Sequence, residues 1–207
     1  MAERLRALGA VVVEAPTVTL EPPDDWQPVD AALRGIARYQ WLVITSANGV
    51  TATYQRMLEL GMDARALAHL RIAAIGPATA AELRRSFLNP DVVPDEYVAE
   101  ALADALKPFG LRGQRCLLLR SNLARPALRE ALVAAGAEYD DIPIYRTGRP
   151  AKLPDAARQM LLAGQIDWAT FTSSSTFVNL IALLGADAQR ALHGVRIASI
   201  GPITSKA

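Results

Sequence analysis

WLVITSANGV, Trp41 to Val50, followed by LRIAAIGPAT, Leu70 to Thr79, decides how this chain folds. Each stretch is a short apolar, β-rich run that ends at a turn and opens into a helix-forming segment. The same pair recurs as WATFTSSSTF, Trp168 to Phe177, and VRIASIGPIT, Val195 to Thr204. The offset is 168 − 41 = 127 at the tryptophans and 204 − 79 = 125 at the threonines. A third block agrees: LRALGAVVVEAP, ending at Pro16, parallels LVAAGAEYDDIP, ending at Pro143, again offset by 127. That period is far too long for a solenoid of small repeats and reads as a duplicated domain.

Working outward, Trp41 to Thr45 is a strand. It leads into a helix with Val50, Tyr54, Met57 and Leu58 on one face, stopped by Gly61. Arg71 to Ile75 is the next strand, and Pro77 sits as the first residue of a helix from Ala78 to Phe87. Val92-Val93 reads as a brief strand. Glu96 to Lys107 reads as a helix with Val98, Leu102 and Leu106 inward, stopping at Pro108. Cys116 to Leu119 is a buried-type strand, Pro126 opens a helix ended by Gly136, and Tyr139 to Tyr145 is extended. Asp167 to Phe171, a helix from Thr176 to Leu184, and Arg196 to Ile200 repeat the first pattern. Apolar strands alternating with helices predict an α/β fold with parallel sheets covered on both faces. Two Pro-rich segments, 16–25 and 142–150, break the alternation at equivalent places and read as connections between domains.

The chain has 207 residues, enough for one large or two small domains. Lys and Arg number 22 against 21 Asp and Glu, a net charge of +1. That balance argues against nucleic acid held by a broad basic field, but backbone amides can still grip a small anion. Cys116 is the single cysteine, so an intramolecular disulfide and a thiolate metal cluster are both excluded. His69 and His193 lack metal-ligand spacing and precede equivalent strands, away from the turns. No membrane span or signal core is visible, which fits a cytoplasmic location.

Chemistry concentrates at strand ends. Thr45-Ser46 and Thr172-Ser173-Ser174-Ser175 stand between a strand and a helix in each copy. There, free helix N–H groups and hydroxyls make an uncharged anion grip. Taken one by one, these residues read first as helix caps, and their recurrence in both copies weakens that reading. Gly76-Pro77-Ala78-Thr79 and Gly201-Pro202-Ile203-Thr204 occupy a second turn of this kind, where by themselves they read first as a turn and a proline helix start, and Ser121-Asn122 forms a third. No GxSxG, Walker A or GxGxxG motif is present. Cys116, Trp41 and Trp168 read as packing residues. Tyr145, in the second connection, is either a hinge aromatic or a phenol that serves as donor or weak acid.

The pattern FTSSSTFVNL then RIASIGPIT, the weaker first copy VITSANGV and RIAAIGPAT, the connection IPIYRT and the helix VVPDEYVAEALADAL together resemble the uroporphyrinogen-III synthase family over essentially all the chain. The resemblance implies two flavodoxin-like domains joined by a two-stranded β-ladder, with the active site in the cleft between them. Domain 1 would comprise 1–17 plus 150–207, domain 2 would comprise 25–142, and 18–24 and 143–149 would connect them. Compared with the family pattern, domain 1 would lack elements at both ends of this chain. The implied reaction, in tetrapyrrole and haem biosynthesis, is the cyclisation of hydroxymethylbilane to uroporphyrinogen III, with loss of water and inversion of ring D. It would need no metal or organic cofactor; the expected partner is a polycarboxylate tetrapyrrole substrate, with no nucleic acid and no membrane, and the expected enzyme is a monomer.

By motif, Tyr145 matches the family's tyrosine that assists hydroxyl departure, and Thr45, Ser46, Thr79, Ser173, Ser174 and Thr204 match loop positions facing the cleft. Gly76, Gly201, Ser121 and Asn122 complete the expected substrate-binding set. The alternative class is a non-catalytic, two-lobed module that binds a small anion or acts as a sensor.

Overall fold

Chain order in the computed structural model, which describes residues 1–123 and 126–207, is α1 (Ala2–Ala7), β1 (Thr19–Glu21), α2 (Gln27–Arg34), β2 (Trp41–Ile44), α3 (Ala47–Glu59), β3 (Arg71–Ala74) and α4 (Pro77–Arg85). There follow α5 (Ala99–Leu106), β4 (Arg115–Ser121), α6 (Ala127–Ala134), β5 (Glu138–Gly148), α7 (Asp155–Leu162), β6 (Trp168–Phe171), α8 (Ser174–Leu184), α9 (Ala188–Ala191), β7 (Arg196–Ser199) and α10 (Pro202–Ser205). Contacts divide these into two units, one of Glu21–Thr147 and one of Met1–Leu20 with Gly148–Ala207. Among the described residues, no helix is long and apolar enough to cross a membrane.

In the Glu21–Thr147 unit the sheet runs in the order β1-β5-β4-β2-β3. β2 is parallel to β3 from Trp41↔Arg71 to Ile44↔Ala74, and to β4 from Trp41↔Cys116 to Ile44↔Leu119. All four residues of β2 are buried, as a strand with neighbours on both sides and cover on both faces requires. Alternate residues feed two cores. Leu42, Ile44, Leu117 and Leu119 pack with Val50 and Met57 of α3, while Trp41, Val43, Cys116 and Leu118 pack with Leu102, Leu106 and Leu132. Burial pushes the Cys116 thiol up to about 11, which keeps it protonated and inert.

Several boundaries differ from expectation for local reasons. The buried face of α3 is Val50, Thr53 and Met57. Leu58 lies one position round the helix and is 53% exposed. Thr53 is tolerated inside because its hydroxyl donates to the Gly49 carbonyl at 2.7 Å. α4 ends at Arg85 because Phe87 turns to φ +61 and points into solvent. Val92 makes only an isolated bridge to Ala73 instead of a strand, and α5 starts at Ala99 with the half-exposed Val98 as its N-cap. α8 starts at Ser174, ahead of the expected Thr176. α2 has no counterpart among the elements expected from the residue pattern. It buries Val29, Ala32 and Leu33, and Arg56 of α3 holds it by donating to both Asp30 oxygens (2.7 and 2.6 Å) while stacking 4.4 Å over Trp26.

A polar cluster closes the amino ends of these strands. The fully buried Tyr39 donates its hydroxyl to Asp140, which also accepts from Arg38 at 3.2 Å and Arg115 at 3.3 Å. Burial alone would raise the Asp140 carboxyl. The hydrogen bonds from Tyr39 and Arg115, with the charges of Arg115 and Arg38, outweigh burial and hold it below the usual carboxylate range. A depressed folded-state value means that Asp140 stabilises the fold above the unfolded value of about 3.9, and that this is lost as pH falls. In Asp140→Asn the melting temperature is therefore expected to fall less than in the wild type between pH 5 and pH 3, read by circular dichroism.

The other unit is built more sparely. β6 and β7 pair in parallel from Trp168↔Arg196 to Phe171↔Ser199. Leu153, Leu161, Phe171, Leu180, Leu184 and Ala191 form its core, with Phe177 edge-on to Phe171 at 5.2 Å. The N-terminal arm is tied to α8: Thr17 donates to the Thr176 carbonyl at 3.0 Å and the Asn179 amide donates to the Thr17 carbonyl at 2.8 Å. Trp168, expected to pack like Trp41, is instead 55% exposed. The reason is the sheet: β6 has a single strand neighbour among the described residues where β2 has two. Arg196, with its guanidinium 5.5 Å from the ring, gives Trp168 partial cover.

Candidate active site

The chain leaves β2 through α3 to β3 on one side, then crosses back to β4 on the other. Such a reversal opens a crevice beyond the carboxyl ends of the two central strands, where ligands of open parallel sheets bind. Thr45-Ser46 follows β2 there, Ser121-Asn122 ends β4, and Tyr145 lies next to them on β5.

Ser46 is the N-cap of α3, and its hydroxyl accepts the Gly49 N–H at 2.9 Å. The same hydroxyl lies 3.0 Å from the Tyr145 phenol, and either can donate. Gly49 makes the approach possible, because a Cβ there would stand 3.1 Å from both the Ser46 Oγ and the Ile44 side chain. When Ser46 donates to the phenol oxygen, the Tyr145 proton is left to point elsewhere. Tyr145 is 9% exposed, packed with Ile144 and Val50, so its ring is held by the core. Thr45 is partly exposed beside it.

Ser121 and Asn122 do different work. Asn122 donates its N–H to the Tyr145 carbonyl at 3.2 Å, and its side-chain oxygen accepts the Thr147 N–H at 3.0 Å. The side-chain oxygen of Asn122, a residue expected to bind substrate, thus extends the β4–β5 ladder by one rung. Ser121 is partly exposed, with its carbonyl taken by Arg120 at 2.8 Å.

Gly76 and Thr79 also shift in meaning. Gly76 is extended and buried, and a Cβ on it would meet the Tyr97 ring at 3.1 Å. The close approach that glycine permits here is that of Tyr97, a residue that the motifs did not single out. Thr79 is buried in the first turn of α4.

In the second unit, Ser173 caps α8, accepting the Thr176 N–H at 3.3 Å and lying 2.9 Å from Ser175, and Ser174 opens the helix. Gly201 precedes α10 in open space: a Cβ on it would meet nothing within 4 Å, unlike one on Gly76. Thr204 is 9% exposed. His69 sits 3.3 Å from the Ile36 carbonyl, a structural contact, and His193 is exposed before β7.

The family described as "Uroporphyrinogen-III synthase HemD" matches residues 1–207. The uroporphyrinogen-III synthase of Synechococcus elongatus is 37% identical over 209 residues, covering 99% of this chain and 78% of that protein. That of Chlorobaculum parvum is 27% identical over 206 residues, covering 98% and 80%. Among solved structures, a mutant uroporphyrinogen III synthase of Thermus thermophilus superposes with TM-score 0.60 at 20% identity, covering 98% of this chain and 80% of that one. The uroporphyrinogen-III synthetase of Helicobacter pylori gives TM-score 0.61 at 17% identity, covering 92% and 78%. The structural matches support the shared α/β fold, and the sequence match over the whole of this chain supplies the family: this chain belongs to the uroporphyrinogen-III synthase family.

Proposed function

We propose that this chain closes hydroxymethylbilane to uroporphyrinogen III, inverting ring D and releasing water. Family membership supports the reaction. The observation that carries the residue assignment is the Tyr145–Ser46 hydroxyl pair at the N-terminus of α3.

The electron-rich pyrrole pushes out the hydroxyl of the hydroxymethyl group, and the C–O electron pair leaves with the oxygen. Tyr145 gives its proton to that oxygen, so water departs. The phenolate left behind is stabilised by the Ser46 O–H and by the positive end of α3. Ring D then attacks through its substituted carbon; the bond from that carbon to the ring C methylene breaks, the freed methylene bonds the unsubstituted α carbon of ring D, and the proton lost there returns to the Tyr145 phenolate. Holding the flexible chain in that geometry is the main task of the protein. Thr45, Ser46, Gly76, Thr79, Ser121 and the Asn122 amide N–H groups in one unit are read as carboxylate-binding, as are Ser173, Ser174, Gly201 and Thr204 in the other.

The grip is local. Arg120 and Arg146, the arginines flanking Tyr145 on β4 and β5, are already ion-paired, with Asp141 and with Glu21 and Asp24 respectively. The strand order β3-β2-β4-β5, read from the β3 edge, also supports a flavodoxin-like domain: numbered afresh along the chain it is 2-1-3-4. The edge pairing of β1 with β5 supports the ladder reading for 18–24 and 143–149, with domains at 25–142 and at 1–17 plus 150–207. The same reading has the enzyme act as a cytoplasmic monomer without metal or organic cofactor.

The test is consumption of freshly prepared hydroxymethylbilane at about 0.05 and about 0.3 M salt, a range over which exposed charges are increasingly screened. Saturable consumption well above the spontaneous rate, with KM changed by only a few fold between the two salts, is expected of an enzyme with an uncharged grip. Binding without accelerated consumption would favour a non-catalytic module instead.

A further inference from the structure

Strict alternation along β5 puts Tyr145 on the wrong face. Tyr139 packs on the Trp41–Cys116–Leu118 side of the sheet, and odd-numbered residues should follow it there. Tyr145 instead packs on the opposite side, with Ile142 and Ile144, where α3 lies. The cause is a bulge. β4 and β5 stay in register through Leu119↔Ile142 and Arg120↔Pro143, and the next pair is Ser121↔Tyr145, so Ile144 is the extra residue. A bulge turns two consecutive side chains to one face, and here those are Ile144 and Tyr145. Without it Ser121 would face Ile144, and Tyr145 would point away from Ser46.

A single guanidinium spans the irregularity. Arg120 donates through Nε and Nη2 to the two carboxylate oxygens of Asp141 on β5, the second at 2.9 Å, and through Nη1 to the Ser121 carbonyl on β4 at 2.8 Å. Ser121 lies beyond Ile44↔Leu119, the last β2–β4 pair, so the arginine supplies a donor where no strand does. The pair is largely shielded, with side chains 18% and 12% exposed. On the far side, the two Asn122 bonds to Tyr145 and Thr147 pin the shifted register.

We infer that Arg120 and Asp141 are positioning residues that hold the bulge and so aim the Tyr145 phenol at Ser46 and the departing hydroxyl. Their effect on turnover rests on Tyr145 acting in the reaction; their effect on its orientation does not. Lysine at 120 keeps the charge but cannot fork across both strands, whereas Asp141→Asn keeps the shape and loses the charge.

The test measures kcat and KM for Arg120→Lys and Asp141→Asn, each alone and with Tyr145→Phe, together with the 13Cζ resonance of Tyr145 in tyrosine-labelled protein, assigned by its loss in Tyr145→Phe. Each single variant is expected to lower kcat about tenfold with KM changed less than twofold, as expected of a misaimed group. Each should also shift the Tyr145 resonance, and neither should lower kcat further in the Tyr145→Phe background. An unmoved resonance in a folded variant overturns the inference, as does an equal loss of kcat in the Tyr145→Phe background. If one variant fails to fold, the other decides. If Tyr145→Phe alone keeps full turnover, the acid role of Tyr145 falls, and the resonance by itself decides the positioning.

Discussion

Tyr145→Phe is expected to lower kcat by about 10²-fold, the contribution of one well-placed proton donor, with KM nearly unchanged. The ring is packed in the core and phenylalanine fills the same space, so the fold should survive. The lost stability is that of one hydrogen bond, about 1 kcal/mol, because Ser46 keeps its bond to the Gly49 N–H. Slower closure also leaves more substrate to cyclise spontaneously, so the fraction of isomer I should rise in the variant. A variant with wild-type kcat would remove Tyr145 from the chemistry. One that melts far below the wild type would make the loss structural.

Trp41→Ala and Trp168→Ala occupy equivalent positions in the repeat and are expected to behave very differently. Trp41 is fully buried, stands edge-on to Phe109 at 5.1 Å, and donates its indole N–H to Gln114 at 2.7 Å. Its removal opens a cavity in the centre of the sheet and orphans the Gln114 oxygen. The expected cost is about 4 kcal/mol, a large share of the roughly 5–15 kcal/mol that ordinarily stabilises a domain. Trp168 is 55% exposed and loses mainly the cover of Arg196, so about 1 kcal/mol or less is expected. Urea unfolding followed at several wavelengths separates the cases, and with two units the transitions should be fitted without assuming a single step. Equal costs at the two positions would contradict the difference in burial.

That contrast marks what the residue pattern can and cannot convey. Strand and helix alternation, the Pro77 helix start and the turns after β2, β3 and β4 were legible because they depend on local propensity and on the period of apolar residues. The burial of Trp41 against the exposure of Trp168 was not, because it depends on how many strands flank each, and the motif is the same in both copies. Tyr145 could be named from its connection, but its face could not. Period-two reasoning sends it to the side of Tyr139, and only the register shift at Ser121 returns it to α3. Tyr97 over Gly76 and Tyr39 on Asp140 are contacts between residues distant in the chain, and nothing in either local stretch announces them. The local pattern does not announce α2, because Gln27 to Arg34 buries only three residues and relies on Arg56, a helix away, to hold it.

The near-neutral charge takes on meaning here as well. Arg120 and Arg146 are committed to carboxylates of the protein, and the proposed grip on a polycarboxylate uses amides and hydroxyls at helix N-termini. What such a site can impose is geometry, and the product isomer reports geometry directly. Freshly prepared hydroxymethylbilane should be incubated with the chain, the products oxidised, and the uroporphyrin isomers separated. Predominantly isomer III is the expected result; isomer I alone, the product of unassisted closure, would contradict the assignment of this chain as a working synthase.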